Sequence, residues 1–263
     1  MISKRTVQAG LAFVAFAMAA LSAAAGPITY LGNDSGANGA VNAGGAAATA
    51  RNALLASLSS YGTETFESRI AGTAPTVTIP LEILSGGGKL RPLADAVGSG
   101  TVANTNTSGS AFTGRFNTTP APFTGQIGQW WQTNRSFTLT LDTAASAFGF
   151  YATDLGDFSG VLDVDVCLGA GTCTNYLVSP TTGSNGSLLF FGYTNNLATF
   201  DKLVFRVSQA AGLPQGQFDV IGFDDLVVGN VRDTANQVPE PGSLALVAAS
   251  LGLLAALRRK PRT

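Results

Sequence analysis

Apolar and polar residues alternate along much of this chain, and that alternation constrains the fold more than any other feature. In Ser136 to Asp142, Phe137, Leu139 and Leu141 share one side of an extended segment. In Val161 to Cys167, Leu162, Val164 and Val166 oppose Asp163 and Asp165. A period of two is the repeat of a strand with one buried and one wet face. Comparable runs occupy Glu64 to Ser68, Thr76 to Leu84, Ala111 to Asn117, Ala147 to Thr153, Thr174 to Val178, Leu188 to Tyr193, Lys202 to Ser208 and Gly222 to Val228, and the run at Val161 extends to Leu168. Turns of Gly, Asn, Thr and Pro separate them. Many short strands joined this way predict a mainly β fold, an antiparallel β-sandwich of jelly-roll type, with a closed barrel as the alternative. One segment breaks the pattern: Ala46 to Ser59 places Ala47, Ala50, Leu54 and Leu58 at spacings of three and four, with Gly62 beyond. It predicts one short N-terminal helix. Gly26 to Gly45 reads as an irregular entry, and Val97 to Ser110 as a polar surface loop.

Histidine is absent, which excludes Ser-His-Asp and Cys-His nucleophilic sites, imidazole zinc sites and a histidine general base. Charged residues make up only 12% of the chain, and Lys4, Arg5, Arg258, Arg259, Lys260 and Arg262 lie in its terminal segments. Between Gly26 and Gln237 nine basic residues face fifteen acidic ones, a net of −6. Nucleic acid phosphates and anionic headgroups would repel such a body.

Met1 to Ala25 has a basic start, an apolar run from Ala9 to Leu21 and small residues at Ala23, Ala24 and Ala25. It reads as a secretory signal peptide over 1–25, cleaved within 23–25. At the other end, Val238-Pro239-Glu240-Pro241 precedes an apolar stretch from Leu244 to Leu257, followed by Arg258, Arg259, Lys260 and Arg262. The prolines hold the first part extended. The basic cluster favours the cytoplasmic side of a membrane, leaving the rest outside. An apolar stretch of fourteen residues is short for a permanent anchor, which suits a processed segment.

This stiff motif, short greasy stretch and positive stop closely resemble the PEP-CTERM sorting signal of Gram-negative bacteria. The resemblance implies an exosortase, a membrane protease-transpeptidase, as partner, with Val238, Pro239, Glu240 and Pro241 as its recognition element. It further implies a transient inner-membrane intermediate with a transmembrane helix at 244–257, and a final location in the cell envelope or outside the cell. The expected organisation is a signal peptide at 1–25, an entry segment with the helix at 26–62, a sandwich at 63–233, and a linker with the sorting signal at 234–263.

Within the body, Cys167 and Cys173 bracket a glycine-rich tip between two strand-like runs, so in an oxidising compartment they should form a disulfide. The densest cluster runs from Phe148 to Gly160 and carries Asp154 and Asp157 three residues apart. With Gly114-Arg115-Phe116-Asn117-Thr118 and Trp130-Trp131 it resembles a body type recurrent among PEP-CTERM proteins, for which no activity is implied. Asp154 and Asp157 are candidates for capping a turn, for ligating calcium or for a glycosidase pair. Glu67, Asp224 and Asp225 form a second candidate set for structural calcium, by analogy with sugar-binding jelly rolls. Trp130, Trp131 and Tyr151 are candidates for stacking on the sugar rings of an exopolysaccharide. A sugar-binding role predicts an exposed Trp130 or Trp131 beside polar groups, whereas a matrix role predicts buried aromatics. The expectation overall is an exported, non-enzymatic envelope or matrix protein. A carbohydrate-binding module and a carboxylate-dependent hydrolase are the alternatives.

Overall fold

The computed structural model describes residues 26–37, 39–71, 78–79, 88–92, 101–104, 114–119, 128–156, 160–169, 171–178, 185–209 and 219–232. The signal segment 1–25, the sorting motif, the apolar stretch 244–257, the basic stop and Asp157 lie outside them. Among the described residues the order is β1 (Ile28–Asp34), α1 (Ala46–Ala56), β2 (Leu58–Glu64), β3 (Thr78–Ile79), β4 (Gly88–Pro92), β5 (Thr101–Asn104), β6 (Gln129–Thr133), β7 (Phe137–Ala145), β8 (Ala147–Thr153), β9 (Gly160–Leu168), β10 (Thr172–Leu177), β11 (Leu188–Thr194), β12 (Phe200–Gln209) and β13 (Ile221–Val231).

Every pairing is antiparallel. The first sheet runs β1-β11-β8-β13-β6-β5, with β2 also on β13, and the second runs β10-β9-β12-β7-β4-β3. The period-two pattern decides what lies between them. Phe148 and Phe150 of β8, Leu189, Phe191 and Tyr193 of β11, and Phe223 of β13 point inward to meet Leu139, Leu162, Val164, Leu203 and Phe205 of the second sheet. Phe137 stacks on Phe205 with centroids 4.3 Å apart, and Trp131 packs edge-on against Phe137 at 4.5 Å. Each such ring withdraws apolar surface worth about 1.5–3 kcal/mol from water.

β8 and β11 are buried on their other face too, because α1 covers it. Ala47, Ala50 and Leu54 pack there on Ala147, Tyr151, Leu188, Phe190 and Val227. The seat is made by Gly149 and Gly192, which stand opposite one another in the β8–β11 register. A Cβ on Gly149 would lie 2.6 Å from Leu54 Cδ2, so the glycine pair is the dent that receives the leucine. The carboxylate of Asp34, at the end of β1, accepts hydrogen bonds from the N–H groups of Ala46 (2.8 Å) and Ala47 (3.2 Å). It thereby satisfies two otherwise orphaned donors of the helix and places negative charge at its positive end.

Several boundaries differ from expectation. The entry segment contains a strand, β1, paired along its whole length with β11. The helix stops at Ala56 because Ser57 turns back to bond the Leu54 carbonyl through both its N–H and its hydroxyl, and Leu58 already belongs to β2. The strand expected over Glu64 to Ser68 is instead the end of β2 and a turn, with Phe66 at φ 58°. Thr101–Asn104, within the expected surface loop, pairs with β6. Of the runs expected at Thr76 to Leu84 and Ala111 to Asn117, only Thr78–Ile79 is a strand among the described residues. No helix among the described residues is long and apolar enough to cross a membrane.

Candidate functional site

Beside α1, three carboxylates, Asp224, Asp225 and Asp154, contact segment 114–119. The local cause is a bulge in β13. Asp224 stands opposite Tyr151 and Val227 opposite Gly149, so three steps along β13 match two along β8. The extra residue is absorbed at Asp225, whose φ of 47° is left-handed. In a regular strand Asp224 and Asp225 would point to opposite faces; the bulge turns both toward Thr118 and Thr119.

Asp224 is buried. Its Oδ2 accepts from the Thr118 N–H (2.7 Å) and hydroxyl (3.0 Å), and its Oδ1 from the Asp225 N–H (2.8 Å). Burial, reinforced by the neighbouring Asp225 charge, raises its pKa well above the ordinary carboxylate value despite those donors. Asp225 accepts from the Thr119 hydroxyl at 2.7 Å and lies 3.9 Å from Arg51 Nη2. Arg51 also sits over the Tyr151 ring, 5.9 Å from its centroid. Burial pushes the Tyr151 phenol up to about 12.

Asp154 anchors the other corner. Also left-handed, at φ 64°, it bonds Arg115 at 2.9 Å through Oδ2 and accepts the Gly186 N–H at 3.2 Å through Oδ1. Arg115 reaches onward to Gln132 Oε1 (3.1 Å) and the Val220 carbonyl (3.2 Å), tying β6 to the start of β13. Gly114 has φ +83°, and a side chain there would run into Asp154 Oδ1. The turn after β8 is held by Asp219, whose Oδ2 accepts the Gly156 N–H at 2.6 Å.

Glu67 accepts the Gln129 N–H at 3.0 Å, and Gln129 Nε2 in turn donates to the carbonyls of Phe66, Glu67 and Arg69. Burial, and to a lesser degree Asp225, raise the Glu67 pKa against the effect of the Gln129 bond. Among the described residues no group of three acidic side chains converges on a point where a metal ion could sit. The oxygens of Asp224, Asp225 and Asp154 are answered by N–H, O–H and guanidinium donors. Trp130, Trp131 and Tyr151 are 1%, 1% and 3% exposed, so none offers an open ring face. Trp131 lies in the inter-sheet core, and Trp130 on the opposite face beside Gln132.

Cys167 and Cys173 stand directly opposite in the β9–β10 register and form a disulfide across the hairpin. Arg51, Thr118 and Thr119, which complete the carboxylate cluster, were not legible as site residues. The available signal was the shortage of cations in the body, since each buried acid needs an answering donor.

The family model of the PEP-CTERM protein-sorting motif matches residues 237–260. This is a PEP-CTERM domain-containing protein. The motif implies export and membrane-associated sorting by exosortase, a membrane enzyme. No curated protein matches this PEP-CTERM chain. Among solved structures it is similar to the K2 cleaved adhesin domain of Lys-gingipain, with 17% identity over 65% of this chain and 98% of that chain and a TM-score of 0.39. It is also similar to the C-terminal family 22 carbohydrate binding module of Clostridium thermocellum Xyn10B, with 11% identity over 68% and 96% and a TM-score of 0.32. At these TM-scores neither likeness bears on the fold or function of the PEP-CTERM protein.

Proposed function

We propose that this PEP-CTERM protein is a non-enzymatic component of the cell envelope or extracellular matrix, delivered by export and processed at its C-terminal tag by an exosortase. The match at residues 237–260 carries the proposal. Three further observations support a structural body. The buried carboxylates are engaged by donors that fix loops to strands. The rings of Trp130, Trp131 and Tyr151 are buried, as a matrix role predicts and a stacking role does not. The void lined by Phe66, Trp131, Phe137, Phe150, Phe205, Phe223 and Leu226 measures about 10 Å³, scarcely room for one water. We read the sandwich as of jelly-roll type, because β6 to β9 and again β10 to β13 alternate between the two sheets.

Replacing Pro239 and Pro241 by alanine tests the assignment. In cells with an active exosortase, the variant should remain in the membrane fraction with its basic tail attached, while the parent chain is processed. Equal processing of both would contradict it.

A further inference from the structure

The chain leaves the sandwich for its sorting tag at one defined end. Ser146, in the β7–β8 corner, gathers that end: its N–H donates to the Gly229 carbonyl (3.1 Å), its carbonyl accepts the Asn195 N–H (2.8 Å), and its hydroxyl accepts the Val231 N–H (2.8 Å). Arg232 closes the corner by bonding the carbonyls of Ser57 (2.9 Å) and Leu58 (2.7 Å). Asn195 Oδ1 caps the Leu197 N–H at 2.9 Å, so Leu197 belongs to the same end. Across the first sheet, Ile28 is level with Thr194 and Thr194 with Ala147, which puts the start of β1 there as well. Two large apolar side chains stand out from this end into solvent, Leu197 at 62% and Ile28 at 47% exposure.

Twelve positions separate Arg232 from Leu244, where the apolar stretch begins. A chain of that length reaches at most about 40 Å, and the polar layer outside a bilayer's hydrocarbon takes up several ångströms of it. While the tag is in the membrane, this end is therefore confined to the bilayer surface at high effective concentration, where a few apolar contacts suffice for docking. The net of −6 on the body gives headgroup charge no part in the attraction.

We propose that the end of the sandwich bearing Ser146, Ile28, Leu197 and Arg232 is a lipid-docking face, seated on the membrane surface with Leu197 in the headgroup layer until the tag is processed. The proposal rests on the sorting reading. It turns the opposite end, where β7 and β13 begin, away from the membrane.

The disulfide occupies both native cysteines, so a single introduced thiol can be labelled. Leu197→Cys and Leu177→Cys make a matched pair, since Leu177 is 58% exposed. Leu177 is level with Asp163 and so with Arg206, six residues further along β12 than Phe200, or about 20 Å. Each full chain carries an environment-sensitive bimane and is reconstituted into phosphatidylethanolamine–phosphatidylglycerol liposomes. Both variants should float with the liposomes. The label at Leu197 should be blue-shifted, quenched by spin-labelled lipid and severalfold less quenched by aqueous iodide than the label at Leu177. Flotation with both labels equally open to iodide would overturn the docking face alone. Failure to float would overturn it together with the membrane reading of the tag. Protection of Leu197 that persists without lipid in residues 26–237 would overturn it in favour of a second copy of the chain.

Discussion

Asp224 is the residue whose chemistry is most displaced by the fold, and it gives the sandwich a definite pH dependence. A carboxyl whose folded pKa lies above its unfolded value keeps its proton longer in the native state. Its favourable contribution is complete below the unfolded value, about 3.9 for Asp, and is lost as pH rises through the folded one. Asp163 and Glu67 are shifted the same way, chiefly by burial, with Asp165 adding to the rise at Asp163. Asp165 runs opposite: burial would raise it, but Asn175 and Arg206 outweigh burial and lower it, so its contribution is lost only in stronger acid. The melting temperature should thus fall from about pH 4 toward neutrality, and Asp224→Asn should flatten that slope. An unchanged slope in the variant would remove Asp224 as its source. Removing the guanidinium in Arg115→Ala leaves Asp154 buried without its cation and should cost about 3–5 kcal/mol in chemical denaturation. Millimolar calcium should leave the melting temperature unchanged, because donors already engage the carboxylates; a rise would show that calcium is bound. The sequence showed that these acids are crowded, but not that a bulge turns Asp224 and Asp225 to one side. That depends on β8, more than 70 residues earlier in the chain.

The elements most legible in the sequence were those with one dry and one wet face, β7 and β9, and those rich in aromatic residues, β8 and β11. β1 and β2 were not legible, since ITYLGND and LSSYGTE carry little apolar periodicity and are recruited through their backbones by β11 and β13. The helix was overextended because Leu58 keeps helical spacing while already lying in a strand. Docking of α1 depends on the glycine pair, so Gly149→Ala should drive a methyl group into Leu54 and cost about 1–3 kcal/mol, whereas the same change at exposed Gly36, where nothing lies within 4 Å, should be nearly neutral. Asp34→Ala should cost about 1 kcal/mol by uncapping the helix. Reducing the Cys167–Cys173 bridge should remove about 2 kcal/mol, as expected for a short closed loop. Urea titrations of the parent, the three variants and the reduced protein, read by the buried tryptophans, check all four expectations.

Helix, first sheet and second sheet form three layers, and the chain leaves this stack at the Ser146 corner a short tether away from its sorting tag. That the tag was legible in the sequence follows from its nature: its stiff, apolar and basic parts act in linear order, without tertiary contacts. The role of the body was less legible because it depends on which aromatics are covered. Both faces of β6 are covered, so two adjacent tryptophans that suggested a binding platform are core residues instead. The central claim, that an exosortase processes this protein at its C-terminal motif, is tested most directly by mass spectrometry of the mature protein from cells with an active exosortase. The account predicts a C-terminus at or near Val238 to Pro241, with the segment from Leu244 to Thr263 absent. A mature chain still ending at Thr263 in those cells would contradict it.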